Sequence, residues 1–401
     1  MRSNISKPTK RVLIYSHDSF GLGHIRRCRT IAHALAEAIP KLKVLIVSGS
    51  PIIGSFDFKT RVDFIRVPGI IKLRSGDYVP LGAHGSIDAT TQLRSSLIRE
   101  AALSFNPDLF IVDKEPLGLR GELEDTLQAL KDRGTFLALG LRDVLDEPKA
   151  LAAEWTRKRA REAVESLYDA VMIYGLKSIH DPLQGLGLGP QALQKTIFTG
   201  YLRRTRPATK PSHIVGELSD RILVTAGGGG DGQTLIDWIL STYEMHGSSL
   251  PPALVVPGPF MPAEARHEFE NRISKLPSLR TFTFEPRMEH LMADCKAVIS
   301  MGGYNTFCEI LSFDKRAILV PRRVPRCEQT IRAQAAQGLG LARWVPEPNE
   351  NEKPDIDLMA RALRDAPAQP LPSAHAQPGL LDGLTKLIDA SRVWLDRSRP
   401  R

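Results

Sequence analysis

A short apolar strand that runs into a glycine-containing loop and then into a helix occurs near the beginning of the chain and again near its middle. The first copy is Arg11–Ser16 followed by Gly21-Leu22-Gly23-His24, and the second is Arg221–Thr225 followed by a loop, 226–232, that contains four consecutive glycines. Further apolar strands alternate with helical patterns after each copy, as is typical of parallel α/β sheets. We therefore expect an α/β fold with two doubly wound, Rossmann-like domains that face one cleft.

A basic, proline-containing stretch, 203–211, lies between the two copies and has no helical or strand periodicity. Stretches of this kind commonly connect domains. We predict an N-terminal domain over residues 1–202 and a C-terminal domain over 203–375. The amphipathic pattern in 376–401 predicts a final helix that packs back toward the N-terminal domain.

Composition and charge limit the classes of partner that this chain is expected to bind. The net charge of +9 over 401 residues suits anionic partners, but basic and aromatic residues do not interleave, so nucleic acid is not expected. No apolar run reaches the ~18 residues of a spanning helix, so any membrane contact is expected to be peripheral. The four cysteines show no metal-binding spacing, which favours a reduced, cytoplasmic protein without a zinc site. They are Cys28, Cys295, Cys308 and Cys327.

The stretch 300–311 is the most informative single motif. A strand, Ala297–Ile299, leads into Gly302 and Gly303 and then into a helical pattern that carries Glu309. Glycines let a ligand approach the backbone closely, and the free amides of a helix N-terminus suit an anion such as a diphosphate. Glu309 is placed to accept hydrogen bonds from sugar hydroxyls. The alternative is an ordinary strand-to-helix turn with Glu309 on a solvated face.

The sequence also allows predictions for three segments that connect the main strands and helices. The stretch 68–85 is a long loop, and such loops are commonly functional, so it either contacts a substrate or lipid headgroup or is an ordinary surface loop. The charged stretch 147–166 predicts an exposed helix. Gly185–Pro190 follows no strand, and we interpret it as a connection that Pro190 prevents from continuing as a helix.

These motifs together resemble family-28 glycosyltransferases, whose best-known member completes the lipid-linked peptidoglycan precursor. The resemblance rests on Thr225–Gly229, Met301–Glu309, Val320-Pro321 and Glu328-Gln329, with a weaker match at Gly21–His24. It implies the GT-B fold and a hexosyltransferase activity. The C-terminal domain would hold a nucleotide-sugar donor, with a UDP-linked sugar expected, and the N-terminal domain would hold the acceptor. Asp18, Ser19 and Phe20 crowd the first loop, so the peptidoglycan precursor is not the expected acceptor.

The resemblance also implies roles for individual residues. Glu309 would bind the nucleotide ribose, Glu328 and Gln329 would read hydroxyls of the donor sugar, and Gly21 and Gly23 would form the acceptor-side loop. The remaining donor-side residues lie in the glycine loops and at the start of the helix after them. They are Gly227, Gly228 and Gly229, which close on the nucleotide, and Gly302, Gly303, Asn305 and Thr306, which lie against the diphosphate.

Sugar transfer requires a base for the acceptor hydroxyl and positive groups for the departing diphosphate. His24 is the first candidate for the base, although it could instead cap the helix or bind phosphate. Asp18 is an alternative base or the partner that orients an imidazole, and His17 competes for either role. Arg322, Arg323 or Arg326 could stabilise the leaving group, or could be solvated. The single Asp-x-Asp pattern, at 355–357, lies outside the cleft loops, so no metal ion or other cofactor is expected.

The leading hypothesis is an inverting, metal-independent glycosyltransferase that uses a nucleotide-sugar and acts on a cell-envelope lipid or polysaccharide, in the cytoplasm or at the inner face of the membrane. A UDP-sugar epimerase or hydrolase on the same fold is the first alternative, because it would use the same nucleotide pocket. A non-catalytic nucleotide-sugar-binding protein is the second.

Overall fold

The chain forms two parallel α/β sheets that face each other. In this computed structural model, the described residues are 9–17, 22–72, 77–82, 85–208, 218–228, 230–283, 285, 287–349 and 352–397. Within these residues the first half of the chain forms a seven-stranded sheet and the second half a six-stranded sheet. The predicted α/β class is therefore correct.

The first sheet has the strand order β3-β2-β1-β6-β7-β8-β9, and all of its strands run parallel. A separate antiparallel hairpin is formed by β4 and β5. The strands of the first half are β1 (Arg11–Ser16), β2 (Lys43–Ser48), β3 (Val62–Arg66), β4 (Ile70–Lys72), β5 (Tyr78–Pro80), β6 (Leu109–Asp113), β7 (Phe136–Arg142), β8 (Ala170–Tyr174) and β9 (Thr196–Phe198). The helices that join them are α1 (Gly23–Ala38), α2 (Ile87–Phe105), α3 (Glu124–Asp132), α4 (Pro148–Arg157), α5 (Ala160–Ser166) and α6 (Pro190–Gln194).

The second sheet has the order β12-β11-β10-β13-β14-β15 and is also parallel. Its strands are β10 (Ile222–Thr225), β11 (Ala253–Val256), β12 (Leu279–Thr281), β13 (Ala297–Ser300), β14 (Ala317–Leu319) and β15 (Arg343–Trp344). The helices of this half are α7 (Gln233–His246), α8 (Ala263–Ile273), α9 (Met288–Asp294), α10 (Tyr304–Ser312), α11 (Glu328–Gly338), α12 (Ile356–Asp365) and α13 (Gly383–Arg397).

The last helix, α13, returns to the first sheet. The ring of Trp394 stacks on Phe136 of β7 at a centroid distance of 4.9 Å. Lys10 donates from Nζ to the carbonyl of Leu395 at 2.5 Å, and Arg392 donates to the carbonyl of Ala38 at the end of α1. Helix α13 therefore packs against the first half of the chain, while the predicted domain limits at 203 and 376 stay predictions.

The structure differs from the sequence predictions in several connecting segments. Part of the long stretch 68–85 forms the β4–β5 hairpin, and the charged stretch 147–166 forms two helices rather than one. Arg159 separates them with a φ of 51°, and Trp155 packs into the core, so this segment is only partly exposed. Pro190 begins α6 instead of preventing a helix, because a helix's first residue needs no backbone N–H.

The parallel register brings the carboxyl ends of three central strands together. Tyr15 pairs with Val112, and Asp113 pairs with Gly140. The segments that follow β1, β6 and β7 therefore meet at one edge of the first sheet, facing the second sheet, where ligands bind in open α/β folds. Among the described residues no helix is both long and apolar enough to cross a membrane.

Candidate functional site

A cleft between the two sheets is lined by three of the residues predicted for the donor, Gly227, Thr306 and Glu309. About 390 Å³ of space lies within it, part of which is open to solvent. The first half contributes Leu22, Arg26 and Phe56. The second half contributes Thr225, Gly227, Val256, Gly258, Glu285, Met288, Thr306 and Glu309.

Helix α10 begins at this cleft with the predicted glycine turn. Gly302 has a φ of 73°, which glycine adopts without strain, and its N–H donates to the hydroxyl of Ser300 at 3.3 Å. Asn305, in the first turn of α10, donates from Nδ2 to the carbonyl of Gly23 at 2.8 Å, and Gly23 is the first residue of α1. The positive ends of two helix dipoles therefore meet at one point of the cleft, a favourable place for a diphosphate.

Glu309 is buried on α10 and lines the cleft, so it does not lie on a solvated face. Its Oε1 accepts a hydrogen bond from Nη2 of Arg26, which reaches across from α1 and also lies 3.3 Å from Oε1 of Glu289. Burial raises the pKa of Glu309, and the Arg26 guanidinium opposes that shift. Arg26 thus holds the carboxylate that the resemblance assigns to the ribose.

The glycine loop after β10 packs against a glycine that the sequence did not single out. A Cβ on Gly258, whose φ is 99°, would lie 2.4 Å from the carbonyl oxygen of Gly227 and 2.8 Å from that of Gly228. Only a glycine fits this close approach of the two loops. The predicted Gly229, like Gly21 in the first half, lies outside the described residues.

Glu328 and Gln329 lie at the beginning of α11 and are both buried. Arg322 donates to Oε1 of Glu328 at 2.8 Å and also pairs with Asp231. Burial alone would raise the pKa of Glu328, but Arg322, Arg142 and Arg332 together lower it. Oε1 of Gln329 accepts from the backbone N–H of Arg322 at 3.3 Å. Arg322 therefore orders the Glu328-Gln329 pair in this structure.

His24 forms an ordered pair with a carboxylate from a neighbouring strand. Its Nδ1 lies 2.5 Å from Oδ2 of Asp113, the last residue of β6. Asp113 also accepts from Nε and Nη2 of Arg27, each at 2.7 Å. Arg27 keeps Asp113 ionised, and the pKa of this carboxyl is well below its usual range despite its burial. An ionised carboxylate can only accept, so the proton lies on Nδ1 of His24 and Nε2 has a free lone pair.

Burial lowers the pKa of His24 to about 4, although the Asp113 carboxylate acts in the opposite direction. The imidazole is therefore neutral at physiological pH, as a general base must be. His17, its competitor, is buried with its ring 5.5 Å from that of His24, and its Nδ1 has no hydrogen-bond partner among the described residues. Among the described residues no carboxylate hydrogen-bonds to His17, whereas Asp113 orients His24. Asp18 lies outside the described residues.

Sequence reasoning missed Asp113, Arg26 and Arg27. Asp113 carries a signal in the sequence, because it is a carboxylate at the carboxyl end of a buried strand next to β1. For Arg26 and Arg27, the sequence gives no signal beyond their position in the helix after the first glycine loop. Their partners lie 283 and 86 positions away, so only the fold brings them together.

Comparison with known proteins agrees with this architecture. Residues 257–355 match the glycosyltransferase family 28 C-terminal domain. This segment contains α10, the glycine turn at Gly302 and the Glu328-Gln329 pair. This part of the chain therefore corresponds to the C-terminal domain of that family. A comparison of the sequence with curated proteins gives no match.

Solved structures resemble almost the whole chain. MurG of Acinetobacter baumannii superposes with a TM-score of 0.58 at 13% identity, covering 96% of this chain and 99% of that one. A UDP-glucosyltransferase from Polygonum tinctorium gives a TM-score of 0.64 at 14% identity, covering 96% and 99%. A putative UDP-N-acetylglucosamine 2-epimerase from Listeria monocytogenes gives 0.63 at 11%, covering 98% and 99%. At these identities the likeness concerns the fold, and the predicted GT-B fold is confirmed.

Proposed function

We propose that this protein is an inverting glycosyltransferase that moves a sugar from a nucleotide-sugar, with UDP as the expected nucleotide, to a hydroxyl of its acceptor. The observation that supports this most directly is the His24–Asp113 pair, with Nδ1 and Oδ2 2.5 Å apart, at the edge of the cleft opposite the family 28 domain. A base oriented by a carboxylate is what removal of a hydroxyl proton requires.

The donor would occupy the face of the cleft that belongs to the second sheet. Its diphosphate would lie at the N-terminus of α10, beside Gly302, Gly303 and Thr306, where free backbone N–H groups and the helix dipole favour anions. Its ribose would take the place of Arg26 on Glu309. Its sugar would reach the Glu328-Gln329 pair at the start of α11.

The chemical step is a single displacement. The acceptor oxygen forms a bond to the anomeric carbon while its proton passes to Nε2 of His24, and the bond from the anomeric carbon to the phosphate oxygen breaks with its electron pair leaving on the diphosphate. Attack from the face opposite the leaving group inverts the configuration. The α10 N-terminus would stabilise the charge that develops on the diphosphate, and Arg322 is the arginine that we propose assists it.

The acceptor would approach along the first sheet, and we propose that it is a cell-envelope lipid or polysaccharide intermediate. Leu81, just after β5, and Leu93 and Leu97 on α2 are each about two-fifths exposed, at 41%, 43% and 43%. Leu93 and Leu97 are four residues apart and so share one face of α2, a helix that packs against β5. This apolar surface supports a peripheral contact at the inner face of the cytoplasmic membrane.

Incubation with radiolabelled UDP-sugars, with and without membrane lipid extract, tests the proposal. We expect label to enter lipid or polysaccharide only when extract is present, and a chelator to leave the rate unchanged. UDP release or sugar isomerisation without extract would instead indicate a hydrolase or an epimerase. Tight UDP-sugar binding without any turnover would indicate a non-catalytic binding protein.

Glu309→Gln should weaken UDP binding by about 10- to 100-fold, because a hydrogen bond to a charged group is worth about 1.5–3 kcal/mol. Isothermal titration calorimetry with UDP measures the effect. Glu289→Gln is the matched control, because Glu289 contacts the same arginine, Arg26, at 3.3 Å but does not line the cleft. Equal affinities of wild type and Glu309→Gln for UDP would contradict the ribose role.

A further inference from the structure

Arg142 is the last residue of β7, at the edge of the first sheet that faces the second sheet. Side chains alternate between the two faces of a strand, so Arg142 lies on the same face as Ala138, which packs with the residues of α1. Gly140, between them on that face, leaves space for the ring of Tyr174, since a Cβ there would lie 2.1 Å from the tyrosine oxygen. This arrangement places the Arg142 guanidinium beside α1 and α11.

The charged groups that face Arg142 are mainly cations. Arg27, Arg332 and Arg326 each lower the pKa of Arg142, and Arg142 lowers the pKa of Lys114. Among the described residues, Glu328 is the carboxylate that most strongly opposes these cations. Burial, together with these cations, lowers the pKa of Arg142 to about 10. Arg142 therefore lies in a positively charged environment.

Each neighbouring cation has its own carboxylate. Arg27 pairs with Asp113 at 2.7 Å, Arg332 with Asp143 at 2.6 Å, and Arg326 with Glu154 at 3.0 Å. Lys114 lies 3.5 Å from Glu115, and Glu328 is already bound by Arg322 at 2.8 Å. Arg142 has no such ion pair among the described residues, and its buried Nε has no hydrogen-bond partner there.

A guanidinium with this environment fits an anionic ligand. Holding a charge partly out of water next to other cations is unfavourable unless an anion compensates it. The planar fork of arginine matches the two oxygens of a carboxylate or the oxygens of a phosphate. Since β7 is the neighbour of β6, Arg142 also lies close to the His24–Asp113 pair, where the reacting sugars would meet.

We propose that Arg142 binds a carboxylate or phosphate group carried by the transferred sugar or by the acceptor sugar. The inference rests on the proposed transferase function, because that function places both sugars between His24 and Glu328. A glycosyltransferase with this site would act on acidic or phosphorylated sugars. It would discriminate against their neutral analogues.

Calorimetry on the full-length protein distinguishes the two sources. In the donor arm, UDP-glucuronate and UDP-glucose are titrated into the wild type and into Arg142→Gln. In the acceptor arm, glucose 6-phosphate and glucose are titrated into protein saturated with UDP. We expect one acidic probe to bind at least about tenfold more tightly than its neutral partner in the wild type, and Arg142→Gln to abolish the difference. Arg142→Lys keeps the positive charge but lacks the planar guanidinium, so it should retain part of the preference for the acidic probe.

Arg99→Gln, on the exposed surface of α2, is the control for general loss of positive charge and should keep the preference. UDP binding by itself reports on the proposed function. If UDP binds but neither acidic probe is preferred, the role of Arg142 is overturned while the transferase proposal stands. If UDP does not bind, the proposed function fails, and the Arg142 site survives only if glucose 6-phosphate still binds the free protein in an Arg142-dependent way.

Discussion

Replacing His24 by glutamine should lower kcat by about 10²- to 10⁴-fold, the usual contribution of a general base, while the affinity for UDP stays unchanged. Glutamine fills similar space but cannot take a proton from the acceptor hydroxyl. The measurement is the steady-state transfer rate with saturating donor, together with a calorimetric titration of UDP. A loss of UDP affinity with an intact kcat would instead mean that His24 binds phosphate.

The pH dependence of the transfer rate also tests the assignment of His24 as the general base. Only neutral His24 accepts a proton, so the rate is lost as the pH falls through its pKa of about 4 and is level at higher pH. Asp113→Asn removes the carboxylate that raises this pKa, so the acid limb should move to lower pH and the maximal rate should fall. His17→Gln is the comparison, since His17 lacks an orienting carboxylate among the described residues. A larger loss in His17→Gln than in His24→Gln would transfer the role to His17.

The architecture was predictable because the signals that specify it are local. Most strands of the two parallel sheets are short apolar runs followed by a turn and a helical pattern, so the two α/β units are predictable without knowledge of tertiary contacts. Local patterns did not predict every helix, and α12 in the stretch 355–365 is one that they missed. Its N-cap is nevertheless visible in the sequence, since Asp355 accepts a hydrogen bond from the N–H of Leu358. The β4–β5 hairpin was missed because each of its strands has only three residues.

The site was predictable only in part, because its side-chain partners come from distant parts of the chain. The glycine turn at Gly302 and the carboxylate Glu309 are visible in the sequence, since spacing alone places them after a strand and on a helix. The sequence offers Asp18, six residues away, as a partner for His24, and that residue lies outside the described part of the chain. The structure places Asp113, 89 residues away, against Nδ1 of His24. The glycine loop and His24 form a local sequence pattern and are therefore predictable. The pairing of β1 with β6, which brings Asp113 to His24, is a tertiary contact that the local sequence does not reveal.

Asp143→Asn should lower the free energy of unfolding by about 3–5 kcal/mol, because it removes the charge that compensates a fully buried arginine. Asp143, after β7 of the first sheet, accepts from Nε and Nη2 of Arg332 on α11 at 2.8 and 2.6 Å, and from the hydroxyl of Tyr201 at 2.9 Å. Arg332 also donates to the carbonyl of Gly302 at 3.0 Å. This ion pair therefore joins the first sheet to the glycine turn of α10.

The double variant Asp143→Asn/Arg332→Met provides the control. Methionine removes the stranded charge and fills similar space, while asparagine can still accept from Tyr201, so the double variant should regain most of the stability that the single variant loses. Thermal and denaturant unfolding measure both variants, and small-angle scattering reports whether the two sheets separate. A loss below about 1 kcal/mol in Asp143→Asn would place the pair in the class of solvated surface ion pairs. In that case the two halves of the molecule would be held together at this point by the apolar contacts around Tyr201, Tyr304 and Phe307 instead.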